Sequence, residues 1–259
     1  MARAFPLFRV AALRAAAAAL LTALPGFVPA VERSAAIDAV LAMNRLDVET
    51  FMMLYDETDR SQRERVRRQL TVATASMQQL LPTLPDTGAM VGNGEAWRLV
   101  NSSIVGDRQN RGMIETGYDA RTLAELRTAM PALLRALRDR YRLDRPASTT
   151  EEAVLHASDM VAVYIRTAAS PLGGFSDNND ESIDQDLATM VRHMDRLLAT
   201  LQQQYAGDPE RRATLARVQT KWNFIRGTML RHSQQATPVI VYRHGLDIVE
   251  QLRRLPLAG

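Results

Sequence analysis

The sequence predicts an all-α fold, a pseudo-twofold duplicated helical bundle with an up-down arrangement of about six to eight helices. Strong helix formers such as alanine, leucine and arginine are common, whereas glycine and aromatic residues are scarce. Apolar residues recur at three- and four-residue spacing over long stretches, as on one face of a helix. The two halves of the chain also share an order of motifs. The only strand-like alternation is the short stretch 238–242.

Residues 1–30 are predicted to be a cleaved secretory signal peptide. A leader with three arginines precedes the apolar run 15–24, and Val28 and Ala30 occupy the positions of a small-residue cleavage site. The run has about half of the roughly 20 residues that a membrane-spanning helix needs. The mature chain is therefore expected to begin near Val31, to have no membrane span and to reside in the periplasm or outside the cell. The expected source is a Gram-negative bacterium.

Charge and cysteine content exclude several classes of protein. The chain has 32 basic and 29 acidic residues, and the signal peptide contains three of the arginines and no acid, so the mature part is balanced. A balanced chain does not predict nucleic-acid binding. The doublets Arg67-Arg68 and Arg253-Arg254 are expected to lie on solvated faces. Because there is no cysteine, neither disulfides nor thiolate metal sites are expected.

The first half, residues 31–145, is predicted to hold four helical segments. Ser34 is a plausible cap for the first, and Ser61 with Glu64 fits a capping box for the second. Pro131 must kink the last segment or lie close to a break in it. In chain order the segments are Ser34–Tyr55, Ser61–Leu81, a stretch containing Trp97, Val100 and Ile104, and Asp119–Tyr141.

The second half, residues 146–259, is predicted to repeat this pattern in the same bundle after a hinge over residues 143–150. Thr149 with Glu152 forms another capping box. Asp208 followed by Pro209 is a strong helix start, because aspartate caps well and proline suits the first position. The predicted segments are Thr149–Ala169, Ile183–Tyr205, a helix that starts at Asp208-Pro209, and Gly245–Leu255.

An internal repeat supports the pseudo-twofold prediction. Residues 69–84 align without gaps to residues 186–201, with leucines, methionines and threonines at shared positions. Ala39-Val40-Leu41 likewise matches Ala153-Val154-Leu155. A duplicated bundle of this kind buries the apolar stripe of each half against the other.

The local signatures of enzymes and metal proteins are missing from the sequence. There is no nucleophile elbow and no glycine-rich phosphate loop. Glu152 and His156, four residues apart, are more typical of a surface contact than of a metal half-site. Met190 and Met194 around His193 are more typical of core packing than of copper or haem ligation. We therefore expect no catalytic residues, no metal and no cofactor.

Polar residues inside apolar helical stripes are the best candidates for a site. Asn44 and Arg45 match Ser158 and Asp159 in the repeat, and polar groups between the halves would need partners. A ligand is one such partner, and an internal Arg45–Asp159 salt bridge is another. The two tryptophans either flank a pocket or belong to the core. The predicted ligand-binding residues are Asn44, Arg45, Trp97, Ser158, Asp159 and Trp222.

The duplicated helices, with a tryptophan late in each half (Trp97 in GEAW, Trp222 in VQTKW), resemble the extracytoplasmic sensor domains of type IV pilus chemotaxis transducers and nitrate sensors. The resemblance is architectural and spans roughly residues 35–230. Those families carry an arginine-bearing motif, R-M-L-S-Q-R, in the first helix. The comparable stretch here, AMNRLDVETFMM, retains only Arg45. The resemblance implies a sensory role, with any signal relayed through a partner protein.

The sequence is compatible with three functions. The first is a periplasmic or secreted non-enzymatic binding or sensory module, whose partner is an unknown small ligand or an envelope protein. The second is a structural or assembly adaptor or chaperone of the cell envelope, with a dry core and an exposed apolar patch. The third, an enzyme with dispersed catalytic residues, is the least favoured.

Overall fold

A computed structural model shows an all-α protein, as the composition predicts. Among the residues that the structure describes there are seven helices and no strands. In chain order they are α1 Ala30–Leu54, α2 Arg60–Leu80, α3 Ala120–Tyr141, α4 Thr149–Ala168, α5 Asp180–Gln204, α6 Pro209–Leu230 and α7 Pro238–Arg253. The described residues are 30–55, 60–80, 101, 102, 104, 120–168, 180–231 and 237–257.

Some of the predicted N-cap residues cap their helices and others do not. Asp208 caps α6 as predicted, since its Oδ1 accepts from the backbone N–H groups of Glu210 and Arg211 at 3.1 and 3.0 Å. At α4 the predicted cap Thr149 is wrong, because Ser148 Oγ accepts from the N–H of Glu151 at 3.1 Å. Ser34 is also not a cap, since α1 begins four residues before it, and α2 begins at Arg60, one residue before Ser61.

The last helix is longer than the sequence indicates. The strand-like stretch 238–242 forms the first turn of α7, which starts seven residues before the predicted Gly245. Pro238 suits the first turn of a helix, where no N–H partner is lost. Val241, Tyr242 and Ile248 share the buried face of α7, so packing outweighs the β propensity of the valines and isoleucine.

Helices α1 and α4 run parallel through the middle of the bundle. Arg33 near the start of α1 pairs with Glu151 near the start of α4, and Asp47 towards the end of α1 pairs with Arg166 towards the end of α4. One hydrophobic cluster includes residues of all seven helices. The apolar faces of both halves therefore share a common core.

Helix α7 runs antiparallel to α1, with Arg253 against Asp38 and Tyr242 against Glu49. It also packs closely on α4, where Gly245 faces Val161. A Cβ atom at position 245 would lie 2.5 Å from Val161 Cγ2, so only glycine permits this approach. The contact brings α7 alongside both central helices.

No helix in the described residues has both the length and the apolar character required for a membrane crossing. Residues 1–29 of the predicted signal peptide and Trp97 lie outside the described residues, whereas Ala30 is the first residue of α1.

Candidate binding site

A pocket of about 260 Å³ opens where α1, α4 and α7 meet. Leucine, alanine and valine side chains form its apolar part. Two arginines, two carboxylates, an asparagine and a serine provide its polar groups. The lining residues are Asp38, Leu41, Ala42, Asn44, Arg45 and Val48 from α1, Ser158 from α4, and Leu246, Val249, Glu250 and Arg253 from α7.

Asn44 connects the pocket to the contact between the central helices. It is buried, and its Nδ2 donates to Ser158 Oγ at 3.0 Å and to Asp159 Oδ1 at 2.7 Å. Asp159 also accepts from Arg138 of α3. The amide is thus held by two residues of α4, which fixes its orientation at the pocket wall.

Arg45 does not form the salt bridge with Asp159 that the sequence offered as an alternative to a ligand. Its Nη2 donates to Gln69 Oε1 of α2 at 2.8 Å, and its Nε lies 3.4 Å from Glu49 Oε1, one turn along α1. Asp159 instead pairs with Arg138, an arginine of α3 that the repeat did not single out. Arg45 and Asp159 are therefore bound to different partners and not to each other.

Glu49 is a carboxyl group with almost no contact with solvent. Its exposed fraction is 0%. The hydroxyl of Tyr242 donates to Oε2 at 2.9 Å and to Oε1 at 3.1 Å. Burial raises the pKa of Glu49 to about 7, although Tyr242 and Arg45 act in the opposite direction. Burial likewise raises the pKa of Tyr242 above its ordinary value.

Arg253 closes the α7 side of the pocket and pairs with Asp38 of α1. The Arg253-Arg254 doublet was expected on a solvated face, and Arg253 is only partly exposed, with 33% of its side chain accessible. Arg254 lies on a solvated face as expected, since both its side chain and that of its partner Glu250 are exposed. Arg253 and Asp38 are 215 positions apart, so no local pattern could have revealed the pair.

The remaining candidates lie away from this pocket or outside the described residues. Trp222 is fully buried in α6, and its Nε1 donates to Asp195 Oδ1 at 2.8 Å. Asp159 contacts Asn44 but does not line the pocket. Trp97 is outside the described part of the chain. The structure thus brings Asn44, Arg45 and Ser158 to one pocket, while their role in binding stays a prediction.

The histidines of α4 and α5 form a separate contact. His156 Nε2 donates to the carbonyl of Met190 at 2.8 Å, and His193 Nε2 lies 2.8 Å from Glu152 Oε1. The two rings meet edge to face with centroids 4.6 Å apart. Burial lowers the pKa of His156. In the described residues no three histidine, aspartate or glutamate side chains are grouped so that they could hold a metal ion.

Comparison with known proteins gives no match, whether to a family model, a curated protein or a solved structure. The pocket geometry is therefore the basis on which function is inferred.

Proposed function

We propose that this protein is a non-enzymatic binding or sensory module that takes a small amphipathic ligand in the pocket between α1, α4 and α7, in the periplasm or outside the cell. The observation that carries the proposal is the composition of that pocket. An apolar part formed by Leu41, Val48, Leu246 and Val249 lies beside the charged side chains of Arg45 and Arg253. Ligand sites commonly combine an apolar lining with a few placed polar groups.

The volume limits the size of the ligand. Sites for drug-sized molecules occupy about 300–1,000 Å³, and this pocket, at about 260 Å³, lies just below that range. The two arginines are offset by Asp38 and Glu250, so the lining as a whole is neutral. A small molecule with both apolar and polar parts fits these properties better than a polyanion or a macromolecule.

The position of the pocket supports a sensory role. It is built from the two central helices and the last helix, so a ligand would contact both halves of the chain. A ligand that binds one arrangement of these helices more tightly than another shifts the population towards that arrangement. A partner protein of the envelope is the expected recipient of the signal.

Native mass spectrometry of the protein purified from a periplasm tests the proposal. We expect a reproducible extra mass that disappears on denaturation. An Ala42→Phe variant fills the pocket and should lose that mass, whereas Ala75→Phe places the same ring on the exposed face of α2 and should retain it. An extra mass that persists equally in Ala42→Phe would contradict the proposed site.

An envelope adaptor is the second candidate, and exposed apolar side chains favour it. Phe224 of α6 is 59% exposed and Val72 of α2 is 58% exposed, and Leu230 and Ile240 are exposed to a smaller extent. Exposed large apolar side chains mark an interaction surface where they form a contiguous patch. If Phe224→Ser abolished crosslinking to an envelope protein while the pocket variant Ala42→Phe left it intact, the adaptor function would be preferred.

A further inference from the structure

Glu49 and Arg45 connect the interior of the bundle to the pocket. Arg45 lines the pocket with 41% of its side chain exposed, whereas Glu49, one turn later on the same helix, is fully enclosed. Their separation of 3.4 Å between Nε and Oε1 makes Arg45 the charged partner of the buried carboxylate. A change of charge on Glu49 therefore acts directly on a side chain of the pocket.

The groups that face this pair come from three helices. On α1, Arg45 is the charged neighbour of Glu49, while Asp47 is directed to Arg166 of α4. From α7, Tyr242 donates its hydroxyl to the carboxylate. From α2, Gln69 Oε1 accepts a hydrogen bond from Nη2 of the same Arg45 guanidinium. The charge of Arg65 on α2 also acts on Tyr242.

We propose that protonation of Glu49 controls the position of Arg45 in the pocket. The ionised carboxylate holds Arg45 beside the helix. The protonated carboxyl group has no charge to attract the guanidinium, and its Tyr242 contact remains available as a hydrogen bond. Arg45, released from Glu49, then exchanges its bond to Gln69 for a hydrogen-bond acceptor in the pocket. This inference rests on the proposed function, because it assigns a regulator to the same binding site.

The proton balance follows from the same contacts. A ligand that accepts a hydrogen bond from Arg45 draws this counterion away from Glu49. The enclosed carboxylate of Glu49 then takes up one proton from solvent. Binding of such a ligand should therefore strengthen as the pH falls through the titration range of Glu49. The burial that raises the pKa of this group to about 7 places that range near neutrality.

Nuclear magnetic resonance of the full chain without ligand tests the coupling. The probes are the side-chain carboxyl carbon of Glu49, the Nε signal of Arg45 and the methyl groups of Leu41 and Val48. We expect all of them to titrate with one midpoint near pH 7. In Glu49→Gln the signals of Arg45 and of the methyl groups should no longer follow that midpoint. Glu64→Gln, at an exposed carboxylate of α2 that pairs with Arg67 and does not line the pocket, is the matched control and should leave the titration unchanged.

Tyr242→Phe provides a second variant whose outcome does not depend on the folding of Glu49→Gln. It removes the hydroxyl that donates to the carboxylate, so the midpoint should move to higher pH. A Glu49 midpoint near the ordinary 4.5, or Arg45 and methyl signals that do not follow Glu49, would overturn the inference. Because these readouts need no ligand, they remain decisive even if the proposed binding function fails.

Discussion

Asn44 donates a hydrogen bond to Ser158 across the contact between α1 and α4, with 3.0 Å between Nδ2 and Oγ. The two residues are 114 positions apart, the same separation that relates Ala39-Val40-Leu41 to Ala153-Val154-Leu155. In two parallel helices related by a twofold axis along their length, equivalent residues face each other. The contact is what a duplication of that kind would produce, and the duplication itself stays a prediction.

Removal of the Asn44 amide should destabilise the bundle. Asn44→Ala leaves the hydroxyl of Ser158 at a buried site without this partner, whereas Asp159 keeps Arg138. We expect a loss of about 1–3 kcal/mol in the free energy of unfolding, measured by urea denaturation. Thr220→Ala is the control, because Thr220 is exposed and bonds only within its own helix. Equal stability of the two variants would show that the contact does not stabilise the central helices.

Asp47 and Arg166 form an ion pair in which the carboxylate is buried and the arginine is partly exposed. Burial raises the pKa of Asp47 despite the charge of Arg166. Arg166→Met leaves an uncompensated carboxylate, and we expect a loss of about 3–5 kcal/mol. The double variant with Asp47→Asn should recover part of it. Arg254→Met, in an exposed pair, should change stability by less than about 1 kcal/mol, and a similar effect at both arginines would contradict this account.

Because of Glu49, the stability of the folded protein should decrease as the pH rises. Its pKa is about 7 in the folded chain and 4.5 as an unperturbed group, so the folded state binds the proton more tightly. The stabilisation is fully present below pH 4.5 and is lost as the pH rises through 7. The contribution of this group is about 3 kcal/mol.

Glu49→Gln removes this titration. At pH 8 we expect the variant to be more stable than the parent protein, and at pH 4 the difference should be small. Urea denaturation at a series of pH values measures the difference between the two curves. Parallel curves over the whole range would show that Glu49 titrates alike in the folded and unfolded chains.

The close approach of α7 to α4 should be sensitive to one methyl group. Gly245→Ala places a Cβ atom 2.5 Å from Val161 Cγ2, and we expect destabilisation by about 1–3 kcal/mol despite the better helix propensity of alanine. Val161→Ala in the same chain should relieve it. Gly227→Ala is the matched control, since its nearest neighbour, Arg231 Nη2, is at 3.6 Å. That variant should be stabilised by about 0.5–1 kcal/mol, and thermal melts that rank the two variants in the opposite order would refute the packing argument.

Local chemistry predicted the helices better than it predicted their contacts. The start of α6 at Asp208-Pro209 could be predicted, because the cap depends on backbone groups only two and three positions away. The first turn of α7 could not be predicted, because Val239, Ile240 and Val241 are typical of a strand. Only the buried face of the whole helix shows that they are helical. Tertiary packing decided the structure of that stretch.

The pocket was predictable only in part for the same reason. Asn44 and Arg45 stood out as polar residues in an apolar stripe, and both line the pocket. The alternative that paired Arg45 with Asp159 is not what the structure has, because a sequence does not reveal that Arg138 of α3 contacts that carboxylate. Arg253 was missed because its partner Asp38 lies in the first helix of the chain.

A screen of small amphipathic compounds against protein with labelled leucine and valine methyl groups tests whether a small ligand binds between α1, α4 and α7. We expect binding compounds to shift the methyl signals of Leu41, Val48, Leu246 and Val249 together, and Ala42→Phe to abolish these shifts. Compounds that shift only methyl groups elsewhere, or a complete lack of shifts at these four residues, would contradict it.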